Sequence, residues 1–343
     1  MSSTVIIRGG GIAAKACAHL LRQAGFSIFC ESMGRASLPA IVIGRRTQSV
    51  LEDVFENKHL FDGLPQVRKR IVAWGAGSTP SVFAHDAAVV SERELLSRVL
   101  SQSPLDEPVS TIHPDWVVFG GGRLSGSTVE QAGSIVEHTF GSRSAVVSSV
   151  TLRTEGEIDA CWIESLPSGW LFLLPQERES GYLLSVGASP QELLATSRIG
   201  ASRIGSIDQR QGEFACAPRI AQPLYGAGWL ACGTAAISFD PLCGDGAGNA
   251  AREAILASAV IRAARSREAE PLLAHYGMRL VAAFKRHLEI CHDFYRQGSC
   301  GPWWDEEVES LRRGLKWCSD QLDGAPAFRY RLDGSVLEEV NAK

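Results

Sequence analysis

Two glycine-rich segments, far apart in the chain, carry residue types suited to holding phosphates. The first is Gly9-Gly10-Gly11-Ile12-Ala13-Ala14; the second runs from Gly233-Thr234 through Asp240-Pro241 to Gly244-Asp245-Gly246-Ala247. Glycines at the start of a helix let backbone approach an anion, and the helix N-terminus offers unpaired N–H groups and a partial positive charge. In the first segment Gly9 suits a tight turn, Gly11 the approach of a diphosphate, and Ala14 the close contact of helix and strand. Glu31 stands about 20 residues on, where a carboxylate accepts from the hydroxyls of an adenosine ribose and disfavours a 2′-phosphate. This segment alone does not separate NAD from FAD.

The flanking residues predict the elements that must place these loops. Val5-Ile6-Ile7 reads as a buried strand, Ile12 to Arg22 as a helix closed by Ala24-Gly25, and Phe26 to Cys30 as a second strand. Together they make a β-α-β unit. Gly228 to Cys232 reads as another short strand running into the second glycine segment. A helix from about Ala247 to Arg265 follows, so its N-terminus is available to an anionic group such as the pyrimidine edge of a reduced flavin.

The order of these pieces resembles the FAD-dependent aromatic hydroxylases and their relatives, the flavin-dependent halogenases and geranylgeranyl reductases. That family carries Gly-Asp-Ala-Ala, then Asp-Pro, then a Gly-x-Gly helix start; here Gly233-Thr234-Ala235-Ala236, Asp240-Pro241 and Gly244-Asp245-Gly246 stand in that order. The resemblance covers residues 1 to about 265. It implies an α/β fold: a Rossmann-type FAD-binding domain, an interleaved β-sheet substrate domain and a C-terminal helical region. It places Gly233 and Thr234 near the ribityl chain and Pro241, Gly244, Asp245 and Gly246 around the flavin ring, with Asp240 and Ala247 among the cofactor-binding residues. Thr234 replaces the family's aspartate, and Gly121, in Trp116 to Ser125, stands where a second aspartate is expected. That second loss leaves the mode of reduction, by NADH or NADPH, open. Arg93, in Val89 to Leu96, matches an arginine that lies along the cofactor, and a solvated helix charge is the alternative.

Alternating apolar and polar residues mark strands over 38–86 and 149–222, and the resemblance implies that these two stretches interleave in one sheet. The expected FAD-binding domain comprises 1–37, 87–148 and 223–290, the substrate sheet 38–86 and 149–222, and the C-terminal helical region 291–343. Trp170-Leu171-Phe172-Leu173-Leu174-Pro175 keeps the first Trp and the Pro of the halogenases' Trp-x-Trp-x-Ile-Pro. Trp74, Trp170 and Phe172 are therefore candidate cavity walls, with packing beneath a sheet the plainer reading for the Trp170 strand. The stretch from Glu31 to Thr47 holds Arg35, Arg45 and Arg46 but no lysine, which disfavours halogenation because arginine stays protonated. The pair Trp303-Trp304 is expected to dock the C-terminal helical region onto the flavin domain, with closing the cavity or meeting a partner as the alternatives. Among the histidines, His85 on a cavity strand merits testing, and no metal motif is recognisable.

Bulk properties set outer limits. Apolar residues at 45% and charged residues at 21% suit a globular chain, and a net charge of −4 speaks against nonspecific nucleic-acid binding or a basic membrane patch. Nine scattered cysteines and no leader-like start fit a cytoplasmic protein with buried, inert thiols. The expectation is an FAD-dependent monooxygenase. The resemblance implies hydroxylation of an electron-rich aromatic ring through a flavin hydroperoxide, with Pro241, Gly244, Gly246, Trp170 and Phe172 around the reacting groups. The short chain, the Trp170 strand and the Trp pair resemble the flavoproteins that hydroxylate a partner protein's tryptophan during tryptophylquinone maturation; an aromatic small molecule is equally admissible. A halogenase, a reductase and a non-catalytic flavin-binding scaffold are the alternatives.

Overall fold

The computed structural model describes residues 3–32, 34, 37–100, 113–124, 135–153, 157–324 and 329–340. Arg35 and Ser125, named above, lie outside them. In chain order the first half comprises β1 (Thr4–Arg8), α1 (Ile12–Gln23), β2 (Ser27–Glu31), β3 (Ile41–Gly44), α2 (Arg45–Val54), β4 (Gln66–Ala73), β5 (Ser81–Val90), α3 (Glu92–Leu100), β6 (Trp116–Phe119), β7 (Val136–Thr139) and β8 (Ser144–Leu152). Next come β9 (Ala160–Leu166), β10 (Gly169–Pro175), β11 (Ser180–Gly187), α4 (Pro190–Thr196), β12 (Ile204–Ala215), β13 (Arg219–Gln222), β14 (Tyr225–Gly226), β15 (Trp229–Ala231) and β16 (Ile237–Ser238). The chain ends with α5 (Gly246–Ala263), α6 (Ala269–Gly298), α7 (Pro302–Leu322), β17 (Tyr330–Asp333) and β18 (Val336–Glu339).

A five-stranded sheet of order β14-β15-β6-β1-β2 carries the glycine loops; its pairs are parallel except β14 with β15. Its strands are short apolar runs such as Val5-Ile6-Ile7, in which Val5 and Ile7 are buried and Ile6 partly so. Helices α1 and α5 pack on one another through small side chains. Ala13, Ala16, Cys17 and Ala18 on α1 and Ala251, Ala254 and Ala257 on α5 are all buried. Small residues permit the close approach that brings the second glycine segment onto the start of α1.

The second sheet has eight strands in the order β12-β8-β11-β10-β9-β4-β5-β3. Strand β4 pairs in parallel with β9, so the two strand-rich stretches read from the sequence join there. Period-two alternation splits the faces. Leu171, Leu173, Leu183, Trp162 and Ile204 form one cluster, whereas Phe172 and Leu174 pack with Val67, Val89 and Cys161. After β12 the chain leaves this sheet, and β13 lies between β7 and β16 in a small three-stranded one.

The C-terminal region differs from its expected outline. Helix α6 is continuous through residue 290, so no element boundary falls at 290–291, and the helices give way to the β17–β18 hairpin. The Trp pair docks on the large sheet and α6, not on the flavin-binding sheet as expected. Trp304 is buried and its indole N–H donates to the Leu166 carbonyl oxygen at 2.8 Å. Gly298 is glycine for a packing reason, because a Cβ there would run into the Trp304 ring. Among the described residues no helix is long and apolar enough to cross a membrane.

Candidate functional site

The two glycine segments meet. A Cβ on Gly233 would stand 2.6 Å from the Ala13 Cβ and 2.9 Å from the Gly120 carbonyl oxygen. Gly9 has φ +142, and a Cβ there would press on the Gly121 backbone nitrogen at 2.9 Å. A Cβ on Gly120 would meet the Ala14 Cβ at 2.9 Å, which is why the third position of the first motif is small. Gly9, Gly121 and Thr234 thus lie together at the carboxyl ends of β1 and β6. In open parallel sheets ligands bind at such ends.

Helix α1 begins at Gly11, which supplies no side-chain cap, and the Asp245 side chain does not cap α5. Ile12, Ala13 and Ala14 are buried, so any part they take in binding an anion falls to their backbone N–H groups. Thr234, Gly244 and Gly246 are exposed, and a Cβ on Gly244 or Gly246 would meet nothing within 4 Å. Two helix starts without side-chain caps and the meeting of the two glycine segments fit a dinucleotide carrying a flavin.

Glu31 and Arg8, on neighbouring strands, form an ion pair of 2.6 Å between Nε and Oε2. The pair fixes the carboxylate at the end of β2. Sequence reasoning missed Arg8, although its register opposite Glu31 follows from pairing β1 with β2.

The second loop rests on buried charge. Asp240 is 2% exposed; Oδ1 accepts from the Leu242 N–H at 2.8 Å, and Oδ2 accepts from the Tyr295 hydroxyl at 2.9 Å and pairs with Arg143 Nε at 2.8 Å. Its carboxylate is turned into the protein, so the structure places it behind the loop rather than against a cofactor. Arg143 also pairs with Glu307, which accepts from the Ser142 N–H and hydroxyl at 2.9 Å each. Burial works against the Arg143 charge, and Tyr295, Asp240 and Glu307 together raise its pKa above the ordinary value.

Trp170, a candidate cavity wall for which packing beneath the sheet is the plainer reading, is 1% exposed. It belongs to this buried network through its indole N–H, which donates to the Tyr295 hydroxyl at 3.1 Å. Its ring meets Trp74 edge-on at 6.4 Å, and Trp74 in turn meets Trp304 at 5.7 Å. Phe172, two residues along the same face, is only partly buried.

Asp245 accepts from the Thr47 hydroxyl at 2.5 Å and pairs with Arg252, tying the start of α5 to the start of α2. Gly248 leaves room for this contact. Arg45 and Arg46 precede Thr47 and are exposed. Arg93 is exposed on the first turn of α3, and none of its contacts among the described residues joins it to the glycine loops. The Gly233 N–H donates to Glu253 at 2.6 Å. Burial lifts the Glu253 carboxyl to about 8, despite that bond and the nearby Arg252.

On the Phe172 face of the large sheet, Arg70 Nη2 lies 3.1 Å from His85 Nε2. Burial and then the Arg70 charge depress the His85 pKa, so a neutral ring accepts from the guanidinium. Arg70 was not singled out by sequence. The cross-strand pair that joins it to His85 emerges only from the β4–β5 register.

No family model matches the chain, and no curated protein matches it. Solved structures do. The flavin-dependent halogenase CmlS superposes with a TM-score of 0.74 at 18% identity, covering 92% of this chain and 70% of that one. QhpG, a peptidyl tryptophan dihydroxylase essential for tryptophylquinone cofactor biogenesis, gives 0.71 at 17% identity, covering 99% and 86%. A single-residue variant of Klebsiella pneumoniae HpxO, complexed with FAD, gives 0.67 at 14% identity, covering 94% and 98%. The chain has the fold shared by these three proteins.

Proposed function

We propose that this protein is an FAD-dependent monooxygenase that hydroxylates an electron-rich aromatic ring. The observation that carries the reading is the meeting of the two glycine segments, Gly233 against Ala13 and Gly120, with Thr234 and Gly121 beside Gly9. Reduced FAD supplies the oxygen-activating chemistry; the chain supplies position, exclusion of water and fixed dipoles. Gly9, Gly11 and the N–H groups at Ile12 to Ala14 hold the diphosphate, and Glu31, oriented by Arg8, accepts from the ribose. Thr234 offers its hydroxyl to the ribityl chain. The amides at Gly244, Gly246 and Ala247 face the electron-rich edge of the flavin, with Pro241 shaping the approach. Phe172 forms the wall, and Trp170 and Asp240 hold that wall and the loop in fixed relation through Tyr295.

Within this reading the substrate is a tryptophan side chain of a partner protein. The likeness to QhpG supports it, since it spans nearly all of this chain and most of the other. An aromatic small molecule is the competing substrate. Halogenation is the second reading, favoured by the likeness to CmlS and opposed by arginines in place of lysine at Arg45 and Arg46.

The test begins with colour: the purified protein is expected to be yellow and to bleach under nitrogen with NADH or NADPH, or only once the partner is added. Labelled dioxygen should then appear in the product. Chloride or bromide incorporation in its place establishes the halogenase, and a colourless protein that takes up no FAD removes the whole reading.

A further inference from the structure

Two close cysteine pairs occur among the described residues, and their surroundings differ. Cys17 and Cys232 lie 3.8 Å apart between sulfurs, both 0% exposed between α1 and the end of β15, with the Ala254 carbonyl oxygen as a polar neighbour. Cys243 and Cys291 lie 3.7 Å apart, one on the second glycine loop and one on α6. Cys243 is partly exposed, whereas Cys291 is buried. His287, one helical turn before Cys291, brings Nε2 to 3.3 Å from the Cys291 sulfur.

The same Nε2 accepts from the Asp240 N–H at 2.9 Å, so this nitrogen carries no proton in the neutral ring. Cys243, His287 and Cys291 present their ligand atoms within 4.8 Å of one another, a set that suits zinc. A metal, however, would take the lone pair already directed at Asp240 N–H and release the loop. The thiol pair needs no such sacrifice.

We propose that Cys243 and Cys291 are an oxidation site that closes to a reversible disulfide under hydroperoxide, clasping the Asp240–Gly244 loop to α6. The chemistry balances with the hydroperoxide as oxidant. The Cys243 thiolate attacks one peroxide oxygen, the O–O bond breaks, and the departing oxygen leaves as an alcohol or water once protonated. Cys243 is then a sulfenic acid. The Cys291 sulfur attacks it, the S–O bond breaks, and the departing hydroxide takes the Cys291 proton and leaves as water. Two thiols are oxidised by two electrons and one peroxide bond is reduced.

Each partner suits its part. A hydrogen bond from the Cys291 thiol stabilises the Cys243 thiolate and holds that thiol at about 6, below its ordinary value, against the opposing effect of burial. Burial keeps Cys291 a thiol until it reacts. The sulfurs must close to about 2.05 Å. The loop has room to give, because Gly244 at its end is exposed, has φ +61 and borders open space. The sealed Cys17–Cys232 pair has similar spacing but no access, and serves as an internal control. None of this chemistry requires a bound flavin.

The test is peptide mapping of the reduced full-length protein after treatment with hydrogen peroxide and alkylation. The expected product is one disulfide, Cys243 to Cys291, removed by dithiothreitol, with Cys17 and Cys232 still thiols. Cys291→Ser should stop at a sulfenic acid on Cys243 that dimedone traps, and Cys243→Ser should leave Cys291 unoxidised. Free Cys243 and Cys291 at a dose that fully oxidises the exposed Cys300 overturn the proposal, as does stoichiometric zinc that must be stripped before either thiol reacts. The wild-type map decides the matter even if a variant fails to fold.

Discussion

The Gly9–Ala14 turn is held by backbone, whereas the Asp240–Gly246 turn hangs on side chains. Around the first, the contacts are Gly120, Gly121 and Gly233 pressed against α1 and its preceding strand, with Gly9 N–H bonded to the Glu31 carbonyl oxygen at 2.9 Å. Around the second, Asp240, Arg143, Glu307, Tyr295 and His287 converge from a loop, the start of β8, α7 and α6. A backbone-built loop responds to changes in volume or charge at its own few residues. A loop suspended from buried polar groups responds to changes far away in sequence, and it is the more open to regulation.

The largest effect is expected where that suspension is cut. Arg143→Met leaves Asp240 and Glu307 buried without their shared cation, and breaking such a group costs about 3–5 kcal/mol. Urea unfolding should show the loss, and the folded fraction should hold FAD poorly. A variant with wild-type stability breaks the comparison. Gly11→Glu acts on the other loop. It places a carboxylate where the diphosphate belongs, and like charges about 4 Å apart repel by ~4 kcal/mol at an effective dielectric constant of about 20. FAD affinity should fall at least 100-fold (~2.7 kcal/mol) while the unfolding midpoint stays near wild type. Full yellow colour after dialysis would contradict the assignment.

The pH dependence sharpens the contrast. The Glu253 carboxyl, raised by burial from an ordinary 4.5 to about 8, keeps its proton in the folded state while the unfolded chain releases it. Folding therefore gains most below about pH 4.5, and this contribution is lost as pH rises towards 8, on the order of a few kcal/mol. Glu253→Gln retains an acceptor for the Gly233 N–H and should flatten that part of the stability profile. An unchanged slope in the variant assigns it to other groups. A smaller loss is expected for Tyr295→Phe, which leaves the Trp170 indole N–H without its acceptor and takes one donor from Asp240. The cost should be about 1–3 kcal/mol by denaturant titration.

The same division explains what was legible in the sequence. The first loop lies within one β-α-β unit, so spacing, apolar runs and a small residue at Ala14 disclose it with its strand and helix. The Asp240-Pro241 turn and the helix after Gly246 were legible for the same local reason. The partners Arg143, Tyr295, His287 and Glu307 were not, because each lies tens of residues or more from Asp240 and nothing in their local patterns marks them. Trp170 shows the limit most plainly: its strand was read correctly, but the Tyr295 bond that makes it a support rather than an open wall depends on tertiary contact. Arg8 and Arg70 fall between, since strand register would have exposed both.

The smallest effect separates two adjacent glycines. At Gly121 a Cβ would lie 3.6 Å from the Gly9 Cα and 3.9 Å from the Thr234 hydroxyl, ordinary contacts that ask nothing to move. At Gly120 it would lie 2.9–3.0 Å from the backbone and Cβ of Ala14, where neither the helix start nor the strand end can yield cheaply. Packing therefore dictates glycine at Gly120 and permits a side chain at Gly121, so the absence of an acidic residue there is a chemical choice and not a steric one. Gly120→Ala should destabilise by about 1–3 kcal/mol, whereas Gly121→Asp should shift stability by no more than ~0.5 kcal/mol. Thermal unfolding of the pair measures the difference directly. If Gly121→Asp proves as costly as Gly120→Ala, the first loop is held by more than close backbone contact, and the distinction between the two loops narrows to one of degree.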